Sequence, residues 1–244
     1  MRILVAIDSL KGSLSSLEAG LAIKEALEEF CDVIVKPVAD GGEGSVEAMA
    51  DALDAKFIDT IVKNPIGTEI LARYALKDDL AILEMSSASG LTLINTSERN
   101  PMKTSTFGFG QMIKDAIGKG ARKFIIGIGG SATNDAGIGM LSALGFKFYD
   151  KNGSLLEGKG EDLAQICEFS DEEAIKELKE CEFLVACDVD NPLYGQKGAA
   201  YVYAPQKGAN GRMVKQLDDG LKHFAGLVKE KNGTKFHTQK GAGA

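Results

Sequence analysis

Histidine is nearly absent from this 244-residue chain: only His223 and His237 occur. That argues against a histidine-based metal centre and against a charge-relay triad. The four cysteines, Cys31, Cys167, Cys181 and Cys187, form no CxxC pair and have no neighbouring histidine. Free, mostly buried thiols in a reducing cytoplasm are expected from that pattern. No apolar run approaches the length of a membrane span, and the N-terminal run is broken at Asp8, too soon for a signal-peptide core. GxxxxGK[ST] occurs nowhere, which excludes a P-loop. A formal net charge of −7 argues against a nucleic-acid partner. It does not argue against small anions, because one buried lysine and a few backbone N–H groups bind phosphate on an acidic protein.

What is there alternates apolar runs with amphipathic stretches, the α/β signature. Ile3 to Ile7 reads as a buried strand, and Ser15 with Glu18 three residues on has capping-box spacing at a helix start. Gly20, Ile23, Leu27 and Phe30 form the apolar stripe of that helix, and Val33 to Val35 is the next strand. The unit is βαβ, so its strands should be parallel. A helix over Val46 to Leu53 follows. Asn64-Pro65-Ile66-Gly67 is a turn, and Leu80 to Met85 is a strand reached by a tight turn, which predicts antiparallel pairing. Further on come a helix from Phe107 to Lys119 ended by Gly120, and a strand from Phe124 to Ile128. A helix from Ile138 to Leu144, a buried strand from Phe183 to Cys187 and a helix from Val214 to Lys229 complete the order. The fold expected is two α/β domains. The first, residues 1–63, is Rossmann-like with a parallel sheet, and the second, residues 64–244, carries a mixed sheet.

Four segments repeat one pattern, an apolar strand followed by small and acidic residues and then a helix. They are Asp8 to Ser13, Asp40 to Gly44, Gly127 to Asp135, and Asp188 to Pro192. Turn chemistry alone accounts for any one of them. Four together at strand ends, where α/β sheets bind ligands, point to a site. Asp8 and Lys11 suit a phosphate and a metal ion or hydroxyl. Gly41 and Gly42 let backbone N–H groups approach a ligand, while Asp40 and Glu43 are hard-oxygen ligands of the kind Mg²⁺ takes. Gly129, Gly130, Ser131, Thr133 and Asn134 make an anion nest ahead of a helix. The same stretch also satisfies G-x-G-x-x-A, a degenerate dinucleotide pattern. Thr104 and Ser105 precede a helix and cap it by default, with a hydroxyl contact to substrate as the other reading. Of Asp188 and Asp190, one is expected to face the site.

The order of these blocks resembles the bacterial type-1 glycerate kinases. The blocks are Asp8-Ser-Leu-Lys-Gly-Ser13, Pro37-Val-Ala-Asp-Gly-Gly-Glu-Gly44, Thr104-Ser-Thr-Phe-Gly108 and Ile126-Gly-Ile-Gly-Gly-Ser-Ala-Thr-Asn-Asp135. Ala186-Cys-Asp-Val-Asp-Asn-Pro192 and the stretch from Gly198 through Pro205-Gln-Lys-Gly-Ala209 complete the set. The resemblance runs from Met1 to Ala244 and implies a phosphotransferase that uses ATP and Mg²⁺ on D-glycerate. It further implies a first domain discontinuous in sequence, and a chain that ends here inside a Gly-Ala loop the family continues past. On that reading Lys11 neutralises the transferring phosphate and Asp40 or Glu43 holds Mg²⁺. The Gly129 to Thr133 loop cradles phosphate or the glycerate carboxylate, and Asp188, or else Asp8, accepts the hydroxyl proton. A cytoplasmic location follows, and a homodimer is the assembly considered. The alternative is a non-catalytic sensor of glycerate or nucleotide.

Overall fold

A computed structural model describes residues 1–8, 10, 13–38, 44–233 and 235–244. Strand β1 (Arg2–Val5) and strand β2 (Asp32–Val35) pair in parallel, with Leu4 beside Ile34. Helix α1 (Ser16–Leu27) connects them. Its start is the capping box expected from the sequence: the Glu18 N–H donates to Ser15 Oγ at 3.2 Å, and the Ser15 N–H donates back to Glu18 Oε2 at 2.8 Å. The helix packs against β2 closely enough that a Cβ at Gly20 would overlap the Val35 side chain. Phe30, expected on the apolar stripe, lies beyond the last helical turn and is 79% exposed.

Helix α2 (Ser45–Leu53) leads into a mixed five-stranded sheet, two of whose strands precede Leu80, the first strand expected there from the sequence. Its strands are β3 (Lys56–Lys63), β4 (Glu69–Lys77), β5 (Leu80–Glu84), β6 (Lys123–Gly127) and, after the two short strands below, β9 (Glu182–Ala186). They lie in the order β3-β4-β5-β6-β9, antiparallel from β3 to β5 and parallel from β5 to β9. The Asn64 turn joins β3 to β4: the Gly67 N–H donates to the Asn64 carbonyl at 3.0 Å, with Gly67 at φ +91°. The short helix α3 (Ser86–Ser89) follows β5.

Helix α4 (Phe107–Gly118) covers one face of the sheet, where Tyr74, Leu83, Phe109, Met112 and Phe124 are buried. Gly108 makes that approach possible, since a Cβ there would overlap the Lys63 carbonyl. The other face carries α2, through Val46 and Ala50 against Ala75 and Ile82. A second core forms around the later elements. They are α5 (Ile138–Ala143), the antiparallel pair β7 (Lys147–Tyr149) and β8 (Glu168–Ser170), α6 (Ala199–Tyr203) and α7 (Gly211–Asn232). Phe148, Leu163, Ile166, Leu217 and Phe224 fill it.

Three further expectations fail on burial: Leu4, in the first strand expected to be buried, is 63% exposed. The strand expected to be buried at Phe183 to Cys187 is the sheet's edge, with Phe183, Leu184 and Val185 exposed by 41%, 63% and 48%. Phe183 stacks on Phe124, ring centres 4.7 Å apart. An apolar run cannot by itself separate a central strand from an edge strand, because neighbours decide burial. The four thiols are free, as expected, but none is buried: Cys167 and Cys187 are exposed and the other two half-buried.

Candidate active site

The carboxyl end of β5 ties the distant motifs together. Glu84 ends that central strand beside Gly127 and is 4% exposed. Its carboxylate accepts from the Val46 N–H at 2.6 Å, from Ser86 Oγ at 3.1 Å and from the Gly44 N–H. Burial pushes its carboxyl above the usual carboxylate range, against the pull of those donors. A carboxylate on the first amides of α2 satisfies N–H groups with no partner inside the helix. It thereby hangs the helix that follows residues 40–43 on the end of β5.

The turn after β6 lies alongside. Gly130 adopts φ +72°, and a Cβ there would meet the Ser86 Cβ at 3.4 Å. The Leu91 N–H donates to the Gly130 carbonyl at 2.9 Å, and the Ala132 N–H donates to the Ser89 carbonyl at 2.8 Å. The N–H groups of Gly129, Gly130 and Ser131 donate to no acceptor among the described residues. Gly130 is exposed and its two neighbours are half-buried. Successive unpaired N–H groups around a left-handed glycine form an anion-binding concavity.

Behind this turn is a polar core. Asp135, 2% exposed, accepts from the Thr106 N–H at 2.8 Å, Thr106 Oγ1 at 2.7 Å, the Gly137 N–H at 3.2 Å and the Gly139 N–H at 3.3 Å. Desolvation still pushes its carboxyl upward. Thr104 is fully buried, its Oγ1 donating to the Ala132 carbonyl at 2.9 Å. Ser105 Oγ donates to the Gly158 carbonyl at 2.7 Å and accepts from the Phe107 N–H at 3.2 Å, which caps α4. The Thr106 hydroxyl does not cap; it bridges Asp135 and the Met140 N–H. Lys207, 6% exposed, reaches in from the turn after α6, donating to Ser131 Oγ at 2.8 Å and the Thr133 carbonyl at 2.6 Å. Burial pulls its ammonium down to about 8, with the Asp135 charge opposing.

A cavity of about 650 Å³ opens between the β6–β9 face and the second core. Its lining is apolar except at one end, where Thr106, Ser131, Thr133, Asn134, Asp135 and Lys207 meet. Asn134 Oδ1, at that end, is buried without a hydrogen-bond partner among the described residues.

Of the residues expected at the site, Gly129, Gly130, Ser131, Thr133, Asn134, Thr104 and Ser105 are thus gathered at one end of the sheet. Asp188 follows β9 and is exposed, whereas Asp190 pairs with Lys240 at 3.4 Å. Asp8 is half-buried beyond β1 and is engaged with a partner. Lys11, Asp40, Gly41, Gly42 and Glu43 lie outside the described residues. Among the described residues no group of three or more His, Cys, Asp or Glu side chains is placed to hold a metal ion. The His223 Nε2 lies 2.7 Å from the Ile166 carbonyl. No described helix is long and apolar enough to cross a membrane.

Sequence reasoning missed Glu84, Asp135 and Lys207 as individual actors. Asp135 closes the glycine motif and Lys207 sits in the Pro205-Gln-Lys-Gly block, so a local signal exists for both. Glu84 had no local signal, since it ends an ordinary apolar strand.

The chain as a whole is similar to known proteins. Glycerate kinase of Bacillus subtilis is 43% identical, aligned over all of this chain and 65% of that protein. Glycerate 2-kinase of Escherichia coli is 41% identical, again over all of the chain and 65% of the relative. The chain therefore spans just under two thirds of the length of these relatives. A crystal structure described as a glycerate kinase 2 from Salmonella typhimurium superposes with a TM-score of 0.89 at 40% identity, covering the whole chain and 67% of its own. Residues 3–244 match the model of the Glycerate kinase family, and the chain belongs to that family.

Proposed function

We propose that the protein is a glycerate kinase of the type-1 group, transferring the terminal phosphoryl group of ATP to a hydroxyl of D-glycerate. One observation carries the reading: the N–H groups of Gly129, Gly130 and Ser131, which meet no acceptor among the described residues, share a sheet end with the α2 N-terminus that Glu84 holds. Phosphoryl transfer depends on positioning and charge neutralisation more than on covalent chemistry, and a nest of fixed donors supplies both without reorganisation.

In this reading the Gly129–Ser131 amides receive phosphate oxygens or the glycerate carboxylate. The hydroxyl oxygen of glycerate attacks the terminal phosphorus, its proton passes to the Asp188 carboxylate, with Asp8 as second choice, and ADP leaves. Lys11 neutralises charge on the transferring group. Asp40 or Glu43 would hold Mg²⁺, which would add further charge neutralisation. Thr104 and Ser105 hold the loop rather than touch substrate, since their hydroxyls are spent on the Ala132 and Gly158 carbonyls.

The two-domain division belongs to the same proposal. Pairing of β3 with β4 favours a border before Lys56 over one at Asn64. A cytoplasmic location and a homodimer complete it.

The test is a coupled ADP-release assay of the full-length protein with Mg²⁺-ATP and D-glycerate. Glycerate-dependent release is expected. Thermal stabilisation by either ligand without release would replace the kinase reading with a non-catalytic binder.

A further inference from the structure

Lys207 has no part in that mechanism, yet it is the buried cation behind the turn that would hold the anion. It arrives from the turn closed by Gly208, which adopts φ +98° and packs so tightly on Arg99 that a Cβ would overlap the Arg99 carbonyl. From there its Nζ reaches 76 residues back to Ser131 and 74 back to the Thr133 carbonyl. These two groups flank Ala132, whose N–H is already fixed on the Ser89 carbonyl. The turn is thus gripped from both sides, and the Gly129–Ser131 N–H groups, without an acceptor among the described residues, lie on its partly exposed edge. The one carboxylate whose charge Lys207 feels among the described residues is Asp135, which is itself occupied by four donors. Burying an ammonium without a close ion pair is costly, and an uncharged donor could hold a hydroxyl and a carbonyl at less expense. The charge is explained if an anion binds across the turn, where a fixed cation behind the amides strengthens their pull in a water-poor setting.

We propose that Lys207 is the positioning residue of the anion-binding turn. It fixes Ser131 and Thr133 so that the Gly129–Ser131 amides converge on a phosphate oxygen, and it backs them with a buried positive charge. This rests on the glycerate kinase reading for the identity of the anion, but not for its existence.

The full-length protein is compared with Lys207→Met, Lys207→Arg, Ser131→Ala and the Lys207→Met/Ser131→Ala double variant. Two readouts are taken: the rise in Tm caused by inorganic phosphate, and the kinetics of glycerate-dependent ADP release. K207M should lose the phosphate-dependent rise and about 10²-fold in kcat/KM, on the scale of a removed transition-state donor. K207R should recover part of both, because it restores the charge. S131A should lose less than K207M, and the double variant no more than K207M, since one acts through the other. A phosphate-dependent rise in K207M equal to wild type, additive losses in the double variant, or no rise in wild type would each overturn the proposal. If K207M does not fold, the decision passes to S131A and K207R, and wild-type behaviour in both overturns it. Wild type that binds phosphate but releases no ADP with glycerate sinks the proposed activity alone, leaving Lys207 to be judged by the Tm readout.

Discussion

Glu84 and Val46 are 38 residues apart in the chain and share a 2.6 Å hydrogen bond from backbone N–H to carboxylate. Through it the sheet holds the helix that emerges from the Asp-Gly-Gly-Glu-Gly motif. Replacing Glu84 with Ala strands the buried Val46 N–H and should lower stability by about 1–3 kcal/mol, whereas Gln keeps one acceptor and should cost less. Burial raises the Glu84 carboxyl in the folded protein. The folded state therefore keeps a proton that the unfolded state releases, and this group's contribution to stability falls as pH rises above about 4.5. Urea unfolding of wild type and Glu84→Gln at pH 4.5 and pH 7 should show the larger loss in wild type.

Lys207 produces the opposite slope. Its ammonium stands at about 8 in the folded protein against 10.5 in its absence of burial. Across that window the folded state has released a proton that the unfolded chain keeps, so its contribution to stability rises with pH, by up to about 3 kcal/mol. Urea midpoints at pH 7.5 and 10 should differ between wild type and Lys207→Met by that rise.

Asp135 is the junction of the polar core. Asp135→Ala leaves the Thr106 and Gly139 N–H groups buried without their acceptor, and the expected loss is on the order of 3 kcal/mol in chemical denaturation. Asp135→Asn should recover less than half of it, because an amide nitrogen faces donors.

Gly108 and Gly118 lie on the same helix and should respond in opposite directions. A Cβ at Gly108 would overlap the Lys63 carbonyl, whereas one at Gly118 meets nothing within 4 Å. Gly108→Ala should push α4 off β3 and destabilise the protein by several kcal/mol, on the order of an overpacked core or more. Gly118→Ala, exposed on the helix, should raise stability by roughly 0.5 kcal/mol. Thermal unfolding of the two variants checks both signs.

Asp188→Asn tests the base. A drop in kcat with little change in KM for glycerate is expected of a proton acceptor. A raised KM with kcat intact would assign Asp188 to binding instead.

Local features were legible from the residues. The Ser15–Glu18 capping box, the Asn64 turn and the helix stop at Gly120 depend on neighbours within a few positions, and all three are present. Strands β3 and β4 carry no such signal, because Lys56 to Lys63 and Glu69 to Lys77 mix charged and apolar residues. Burial of β9 was misread for the converse reason: its apolar composition fits a central strand, and only the sheet order leaves it at the edge.

The sequence by itself determined the family and the local chemistry. Glycines and hydroxyls after an apolar strand specify a turn with free amides, since that requirement is met within one segment. Which groups stand behind that turn was decided by the tertiary structure alone. The Lys207 ammonium, the Asp135 carboxylate and the Glu84 anchor act across 29 to 76 residues of chain. Contacts at that separation follow from strand order and helix packing, to which no local pattern of residues gives access.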